Sequence, residues 1–267
     1  MPIHPTAVID PRAEIDATAD VGPYVVVDGR VRVGPRTRVM AHAYLTGDTV
    51  IGADNVIFPG AGIGHAPMDL KYDGAPTGVR IGDRNTFREN AEVHRGTAEG
   101  SVTTIGDDCY LMSHAHVAHN CTLGDHVIMA TGAMLAGWCQ VAERVFVSGN
   151  CVVHQFVRIG RVAMLRGGSR TSRDVPPFAV MDGTHVVRGV NRVGLRRLGW
   201  DAARIRAVMN AYRVLFRVRC NLSDAMARVE SNGAVTEEVA ELLAFLRSSE
   251  RGVAHGPPRG AAADATD

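Results

Sequence analysis

A six-residue period governs most of this 267-residue chain. From Ile3 onward, 25 of 28 positions spaced six apart carry a large apolar residue, and the exceptions are Asp69, Ala75 and Glu99. The positions four residues after these are mostly small or β-branched. An α-helix repeats every 3.6 residues and a strand every two, so neither produces this pattern. A period of six predicts a left-handed parallel β-helix of hexapeptide repeats, with roughly 18 residues in each triangular coil.

The period defines a long first domain with two interruptions. We expect residues 1–173 to form the β-helix, with the large apolar side chains filling its interior. The period fails near residues 65–80 and 96–104, where glycine and proline are frequent. These stretches are predicted to be loops ejected from the coils, and loops on a rigid scaffold often carry function.

Beyond residue 173 the apolar pattern changes to helical spacing. Residues 174–251 are predicted to form a small C-terminal α-helical domain, with helices that begin at Asp201, Ser223 and Thr236. Residues 252–267 are rich in alanine, aspartate and proline, and we expect a disordered tail there.

Composition excludes several classes of protein. The net charge of +1 gives no indication of nucleic-acid binding, and no segment is long and apolar enough to cross a membrane. Four cysteines occupy the small interior position of the hexad, which predicts buried thiols and not a disulfide framework or a zinc site. We therefore expect a cytoplasmic protein. These cysteines are Cys109, Cys121, Cys139 and Cys151.

Positive charge is distributed unevenly. The chain has a single lysine, Lys71, against 28 arginines (29 basic residues less one), and this lysine lies in the first interruption. An isolated ammonium there is a candidate for a specific contact. Residues 188–219 hold nine arginines and one acid, Asp201, for a net charge of +8. That surface predicts an acidic partner.

Histidines concentrate around residue 119. An 18-residue register places His119, Gly137 and Gln155 in one column, so an imidazole lies next to a glycine whose N–H is unshielded. This arrangement indicates a general base beside an oxyanion donor, as acyl transfer requires. Two alternatives stay open here. The histidines either point into solvent or bind zinc, as on the hexapeptide prisms of γ-class carbonic anhydrases.

Longer motifs carry a resemblance that covers residues 1 to about 220. The sequence resembles the acyl-ACP–UDP-N-acetylglucosamine O-acyltransferases of lipid A biosynthesis, and both loops occur in the expected places. The matching segments are Asp69-Leu70-Lys71-Tyr72, His94-Arg95-Gly96-Thr97, His116-Val117-Ala118-His119, His154-Gln155-Phe156, Asp174-Val175-Pro176-Pro177 and Gly189-Val190-Asn191.

The resemblance implies a homotrimer with active sites between adjacent subunits. It implies that His119 is the general base and that the Gly137 N–H binds the oxyanion. The acyl donor would arrive on the phosphopantetheine of acyl carrier protein, which would dock on residues 188–219, and no cofactor or metal is expected. Gly167 matches the position that limits acyl-chain length. The positions expected to bind substrate are Asp69, Lys71, His116, Asn120, Trp138, His154, Gln155, Asn191 and Arg197.

Several residues depart from the family pattern. Asn120 stands where an aspartate usually orients the catalytic histidine, and Trp138 where a histidine is common. Val193 and Leu198 replace polar positions expected near the nucleotide sugar. The acceptor group on the UDP-sugar is therefore either a 3-hydroxyl or a 3-amine. From other classes, a zinc hydratase and a non-catalytic trimeric solenoid remain alternatives.

Overall fold

The backbone forms three β-sheets that wrap into a left-handed β-helix, so the predicted fold class is confirmed, and every strand pair is parallel except the last one. The computed structural model describes residues 3–217, 221–231 and 235–256. Successive strands of the chain enter the three sheets in turn, and each strand pairs with the strand one coil later. In the uninterrupted coils the pairing follows the 18-residue register, as for Thr104 and Thr122.

The three sheets form the three faces of the prism. The first sheet contains Val8–Ile9 (β1), Val26–Asp28 (β4), Tyr44–Thr46 (β7), Gly62–His65 (β10), Glu92–His94 (β13), His116–Val117 (β16), Met134–Leu135 (β19), Val152–Val153 (β22) and Arg170–Thr171 (β25). The second contains Glu14–Ile15 (β2), Val31–Val33 (β5), Asp48–Ile51 (β8), Gly78–Ile81 (β11), Val102–Ile105 (β14), Thr122–Leu123 (β17), Gln140–Val141 (β20) and Arg158–Ile159 (β23). The third contains Asp20–Val21 (β3), Arg38–Val39 (β6), Val56–Ile57 (β9), Thr86–Phe87 (β12), Tyr110–Leu111 (β15), Ile128–Met129 (β18), Phe146–Val147 (β21), Met164–Leu165 (β24), Ala179–Asp182 (β26) and Val186–Val190 (β27).

The interior is filled as the period predicts. The large hexad residues of the central coils, such as Ile57, Leu111 and Leu135, are fully buried. The four predicted interior cysteines are buried and free, and burial raises the pKa of Cys109 to about 12. A thiol with that pKa stays protonated at neutral pH and behaves as a small apolar residue.

Most coil corners use a left-handed backbone conformation at positions divisible by six. Asn120, Trp138 and Phe156 have φ values of 60°, 64° and 65°. A non-glycine residue there costs roughly 1–2 kcal/mol, so the surrounding structure must hold it in place. Backbone hydrogen bonds between coils stabilise this conformation. The Trp138 N–H donates to the His119 carbonyl at 3.0 Å, and the Phe156 N–H donates to the Gly137 carbonyl at 3.0 Å.

Two loops interrupt the coils without disturbing their phase. Asp48 pairs with Gly78 and not with position 66, so the first loop lengthens its coil by two hexads. Gly78 in turn pairs with Val102 and not with position 96, so the second loop adds one hexad. The first loop spans residues 66–77 and the second spans residues 95–101. Both are shorter than the sequence predicted, because the flanking strands extend into the predicted limits.

The C-terminal helical region begins later than the predicted boundary at residue 174. Strands β26 and β27 extend the third sheet first: β26 pairs parallel with β24, and β27 returns antiparallel to β26. The helices that follow are Arg192–Arg197 (α1), Ala202–Arg217 (α2), Leu222–Ser231 (α3) and Glu237–Arg247 (α4).

The helix caps confirm two of the three predicted starts. Asp201 accepts a hydrogen bond from the Arg204 N–H, and Thr236 accepts one from Val239. Asn221 caps α3 through the Asp224 N–H, so the prediction of a start at Ser223 was wrong. An asparagine amide is as good a cap as a serine hydroxyl.

The predicted disorder from residue 252 is also wrong for the described part of that segment. The Ala254 N–H donates to the Asp174 carbonyl at 2.8 Å, and the His255 carbonyl accepts from the Val187 N–H at 2.7 Å. These partners lie far upstream in the sequence, so no local pattern predicts the pairing. Residues 257–267 lie outside the described residues.

We predict that the buried asparagine ladder formed by Asn55 and Asn85 contributes strongly to stability. The Asn55 side chain accepts from the Asn85 N–H at 2.9 Å and donates to the Gly82 carbonyl at 2.9 Å. Asn55→Ala leaves both groups buried without partners, so the free energy of unfolding should fall by about 2–4 kcal/mol in equilibrium denaturation. Glu14→Ala, at an exposed position, is the control. Equal effects of the two substitutions would contradict the role of the ladder.

Candidate active site

The predicted catalytic column is present at one corner of the prism. The corner hydrogen bonds described above stack His119, Gly137 and Gln155 in consecutive coils, as the 18-residue register predicts. His119 is partly exposed, so its imidazole is accessible from the surface. The column therefore joins a titratable ring to the backbone of a glycine without any intervening side chain.

Gly137 must be glycine as long as His119 keeps its position. A Cβ atom on residue 137 would lie 2.2 Å from Cε1 of His119 and 2.5 Å from its Nε2. Contacts this short are not found between real atoms, so any larger residue would displace the ring. Within the described part of the chain, no hydrogen bond engages the Gly137 N–H. That N–H is free to bind a developing negative charge beside the imidazole.

Asn120 fixes the tautomer of His119. Its Oδ1 atom lies 2.9 Å from Nδ1 of His119 and accepts hydrogen bonds from the Thr97 N–H at 3.1 Å and the Thr97 hydroxyl at 2.9 Å. A backbone N–H only donates, so the Asn120 atom that faces Thr97 must be the oxygen. That oxygen requires a proton on Nδ1 of His119, which leaves the lone pair on Nε2. A neutral histidine in this tautomer is ready to accept a proton at Nε2.

The neutral amide suits its surroundings. Asn120 is buried under the second loop, and its own N–H donates to the Thr103 hydroxyl at 2.8 Å. A carboxylate here would incur the free-energy cost of burying a charge, which the amide avoids. The amide still orients the ring, but it adds no charge to stabilise the imidazolium formed during proton transfer.

Aromatic residues line the same corner. Trp138 and Phe156 stack with ring centroids 6.1 Å apart and planes 17° from parallel, and both are exposed. Together with Asn120 they occupy successive coils. Large exposed rings are costly in water unless a ligand or another chain covers them. Trp138 was predicted to bind substrate, whereas no sequence pattern predicted a role for Phe156.

The substrate-binding residues predicted in the first loop lie at its surface. Lys71 is exposed, and its backbone N–H donates to the Asp69 carboxylate at 2.9 Å. Tyr72 anchors the loop: its hydroxyl donates to the Ala75 carbonyl at 2.8 Å, and Arg95 of the second loop stacks over its ring. Among the described residues, no hydrogen bond or ion pair links Asp69 or Lys71 to His119.

His154 has a partner that the sequence analysis missed. The Arg251 guanidinium lies 3.3 Å from Nδ1 of His154 and also donates to the Ser172 carbonyl at 3.1 Å. The same Nδ1 atom lies 3.3 Å from the Gln155 carbonyl oxygen, so His154 has a donor and an acceptor on one side of its ring. No sequence signal near Arg251 indicates this contact, since 97 residues separate it from His154.

Asn191 is placed differently from the other predicted site residues. It caps α1, accepts from the Gly194 N–H at 3.0 Å and donates to the Val162 carbonyl at 2.8 Å. Its side chain is buried and already bonded, so its role is to hold the start of the helix that carries Arg197. Arg197 itself is exposed.

Gly167, the predicted limit on acyl-chain length, lies in an uncrowded position. A Cβ on this residue would meet only ordinary contact, with the Gly149 carbonyl oxygen at 3.6 Å. The backbone therefore does not itself require a glycine here, and the space beside it stays open.

A further cluster surrounds the predicted substrate residue His116. Nδ1 of His116 lies 3.3 Å from the Glu92 carboxylate, and Nε2 of His94 lies 3.7 Å from the same oxygen. Burial lowers the pKa of His116, and the neighbouring His94 lowers it further. Burial likewise lowers the pKa of His65, which packs against His94. The sequence alone does not show this grouping. The second loop makes the separation between Glu92 and His116 one hexad longer than a coil, so the two residues do not follow the 18-residue register.

A large concave region lies away from the catalytic column. A cavity of about 650 Å³ opens between the first loop and the second sheet, with Tyr72, Arg80 and Arg95 in its wall. His119 and Gly137 do not line it. The catalytic column is instead an open corner, which a second surface would have to close.

Comparison with known proteins first defines the class. Residues 103–137 match the family model of the bacterial transferase hexapeptide, and residues 174–254 match the second domain of UDP-N-acetylglucosamine O-acyltransferases. The chain is therefore a hexapeptide-repeat transferase, in agreement with the coils and the accessible histidine column.

Full-length similarity then defines the family. An acyl-[acyl-carrier-protein]–UDP-N-acetylglucosamine O-acyltransferase from Anaeromyxobacter sp. is 44% identical over 255 residues, which cover 95% of this chain and 99% of that protein. UDP-N-acetylglucosamine acyltransferase structures from Francisella novicida (31% identical, covering 96% of this chain and 94% of that chain) and Bacteroides fragilis (38% identical, covering 94% and 99%) both align with a TM-score of 0.91. The chain belongs to the UDP-N-acetylglucosamine O-acyltransferase family.

We predict that Asn120 acts by orienting His119. Asn120→Ala should lower kcat for acyl transfer by about 100-fold with little change in KM, because positioned base catalysis contributes roughly 10²–10⁴-fold. Asn150→Ala is the matched control, since Asn150 is an exposed asparagine at a corner with φ of 55° and lies outside the His119 column. Steady-state kinetics of both variants decide the question. An equal loss in the two would show that corner strain alone is responsible.

Proposed function

We propose that this protein transfers a 3-hydroxyacyl chain from acyl carrier protein to the 3-position of UDP-N-acetylglucosamine, the first step of lipid A biosynthesis. One observation carries this proposal: the free lone pair of His119 lies directly beside the unbonded N–H of Gly137. Acyl transfer needs these two groups, a base for the acceptor and a donor for the oxyanion. The family membership supplies the substrate class.

The proposed reaction follows from these positions. Nε2 of His119 takes the proton from the sugar 3-hydroxyl, and the oxygen attacks the thioester carbonyl. The Gly137 N–H stabilises the oxyanion of the tetrahedral intermediate. When the intermediate collapses, the C–S bond breaks and the departing thiolate takes the proton from the His119 imidazolium. The base contributes roughly 10²–10⁴-fold and one oxyanion donor about 10²–10³-fold.

A 3-amino UDP-sugar is the second candidate acceptor. An amine is a better nucleophile than a hydroxyl and needs less help from a base, which fits a histidine oriented by a neutral amide. The exposed Val193 and the aromatic corner at Trp138 also depart from the polar residues expected near the sugar.

Both acceptors would use the same binding residues. Asn191 contributes by fixing α1, while the remaining side chains contact substrate directly. These are Asp69, Lys71, His116, Trp138, His154, Gln155 and Arg197, whereas Asn120 acts through His119. Gly167 leaves room for a long acyl chain.

The proposed assembly is a homotrimer whose clefts contain the active sites. Val8, Met134 and Val152 point outward from the first sheet and are 63%, 43% and 45% exposed. Apolar side chains exposed on one face need cover, and a second copy of the prism would provide it and close the open corner at His119.

Acyl carrier protein is the proposed partner of the arginine-rich segment 188–219. Within the described residues, ion pairs engage Arg188 and Arg204 of this segment. The acyl group would enter on the carrier's phosphopantetheine, and the transfer step would use no cofactor of the enzyme. The arginines that remain exposed on α1 and α2 are Arg192, Arg196, Arg197, Arg206, Arg213 and Arg217.

A cytoplasmic location is proposed from the state of the cysteines. The four interior thiols are buried and free, as is usual in a reducing compartment. None of the described helices meets the length and hydropathy needed to span a bilayer.

The acceptor comparison tests the proposed function. Purified protein is incubated with 3-hydroxyacyl carrier protein and either UDP-N-acetylglucosamine or its 3-amino analogue, and the products are identified by mass spectrometry. We expect the ester product. The amide alone would assign the second function, and no product with either would favour a structural role.

His119→Ala is the matching variant. It should reduce the rate with the hydroxyl acceptor by at least about 10²-fold and leave the melting temperature unchanged, because the ring lies at the surface. Full activity in this variant would overturn the site assignment.

We predict that carrier docking depends on the arginines of α2. Arg206→Glu combined with Arg213→Glu should raise KM for the acyl carrier protein about tenfold, weaken the salt dependence of the rate, and leave kcat nearly unchanged. The control is Arg36→Glu combined with Arg38→Glu, which makes the same charge change near the N-terminal end of the prism. Equal effects of the two double substitutions would contradict a specific docking surface.

A further inference from the structure

Three potential metal ligands meet on the outer face of the first sheet. Glu92 and His94 belong to β13, and His116 lies on the neighbouring strand β16, directly opposite Glu92. One potential ligand atom from each residue lies within 4.8 Å of the other two. The register between β10 and β13 shifts between Ile63 and His65, and this irregularity coincides with the position of His94. The cluster is therefore formed by the fold and not by adjacent residues alone.

His94 is prepared to bind a ligand. Its Nδ1 lies 2.7 Å from the Ala66 carbonyl oxygen, which can only accept, so the ring proton sits on Nδ1. The lone pair of Nε2 then faces Glu92 and His116. His94 is only 6% exposed, and its Nε2 is buried without a hydrogen-bond partner among the described residues. A buried polar atom left unpaired costs about 1–3 kcal/mol, so its position calls for a partner that the chain does not supply.

A hydrogen-bonded network of the three residues does not remove this cost. Neutral His116 can donate a proton from Nδ1 to the Glu92 carboxylate, but the lone pair of His94 Nε2 still faces that carboxylate, and these two acceptors have no proton to share. A cation between the three residues satisfies His94 Nε2 and the carboxylate, and Nδ1 of His116 also binds it when the His116 proton sits on Nε2.

We propose that Glu92, His94 and His116 bind a divalent transition-metal ion, for which Zn²⁺ is the best match. The ligands are the Glu92 carboxylate, Nε2 of His94 and Nδ1 of His116. A tetrahedral zinc site with bonds of about 2.1 Å separates its ligand atoms by about 3.4 Å. The carboxylate lies 3.3 Å from His116 and 3.7 Å from His94, so small side-chain rotations suffice.

The surroundings match those of a zinc site. The Ala66 carbonyl orients His94 through its second ring nitrogen, as backbone carbonyls do for metal-bound histidines. Two imidazoles with one carboxylate favour zinc and similar transition metals, whereas Mg²⁺ prefers oxygen ligands only. Three protein ligands leave one position open to water or to a substrate oxygen. Nε2 of His116 remains free, so this residue could still contact substrate as proposed above.

The test measures metal binding directly and does not depend on acyl transfer. Chelator-treated full-length protein is titrated with ZnCl₂ by isothermal calorimetry, and a second titration uses MgCl₂. We expect one Zn²⁺ per chain and no measurable Mg²⁺ binding. Glu92→Gln removes a charged ligand from a half-exposed side chain without affecting the core, and it should weaken Zn²⁺ binding at least about tenfold.

His114→Gln is the matched control, because His114 is an exposed histidine at a neighbouring corner and outside the cluster. It should bind Zn²⁺ as tightly as the unaltered protein. Circular dichroism of each protein verifies the fold. Absence of Zn²⁺ binding, unchanged affinity in Glu92→Gln, or an equal loss in His114→Gln would each overturn the proposal. The acceptor experiment tests the acyltransferase function separately, so the two can fail independently.

Discussion

The backbone hydrogen bond between one coil and the next is the interaction on which the rest of the structure depends. Each coil is too small to bury its own interior residues, and it becomes stable only when its N–H and carbonyl groups pair with those of its neighbours. At the corners the same bonds hold residues such as Trp138 in a strained left-handed conformation. The catalytic column exists because these bonds fix His119 one coil below Gly137, independently of any side-chain contact between them.

Repeat and loop contribute different parts of the active site. The coils place His119 beside the Gly137 N–H, whereas the second loop supplies Thr97, whose donors determine the orientation of Asn120. The tautomer of the base is therefore set by a segment outside the repeat. Arg95 holds this loop against the first loop by stacking over Tyr72, so both loops support the residue that orients His119.

The structural features that follow from the 18-residue register could be predicted from the sequence. Few of the features that depend on contacts between distant residues could be predicted. The six-residue period and the 18-residue coil predict the prism, the buried cysteines and the His119–Gly137–Gln155 column, because every uninterrupted coil has the same length. The capping role of Asn191 could not be predicted, since its partner Val162 lies 29 residues away. The grouping of His94 and His116 with a carboxylate depends on the length of the second loop. The pairing of residues 252–256 depends on strands that lie far upstream.

The two loops add two hexads and one hexad to their coils, and this has a consequence for how such proteins can change. Because both insertions are whole multiples of the repeat, the chain leaves and rejoins the prism with each side chain still facing the same way. A deletion of one residue inside a coil would instead turn every later apolar residue away from the interior. In this chain the insertions occur at these two points, and the second of them covers Asn120 beside His119. Insertions of this kind can lengthen a surface loop in steps of one hexad while the core remains untouched.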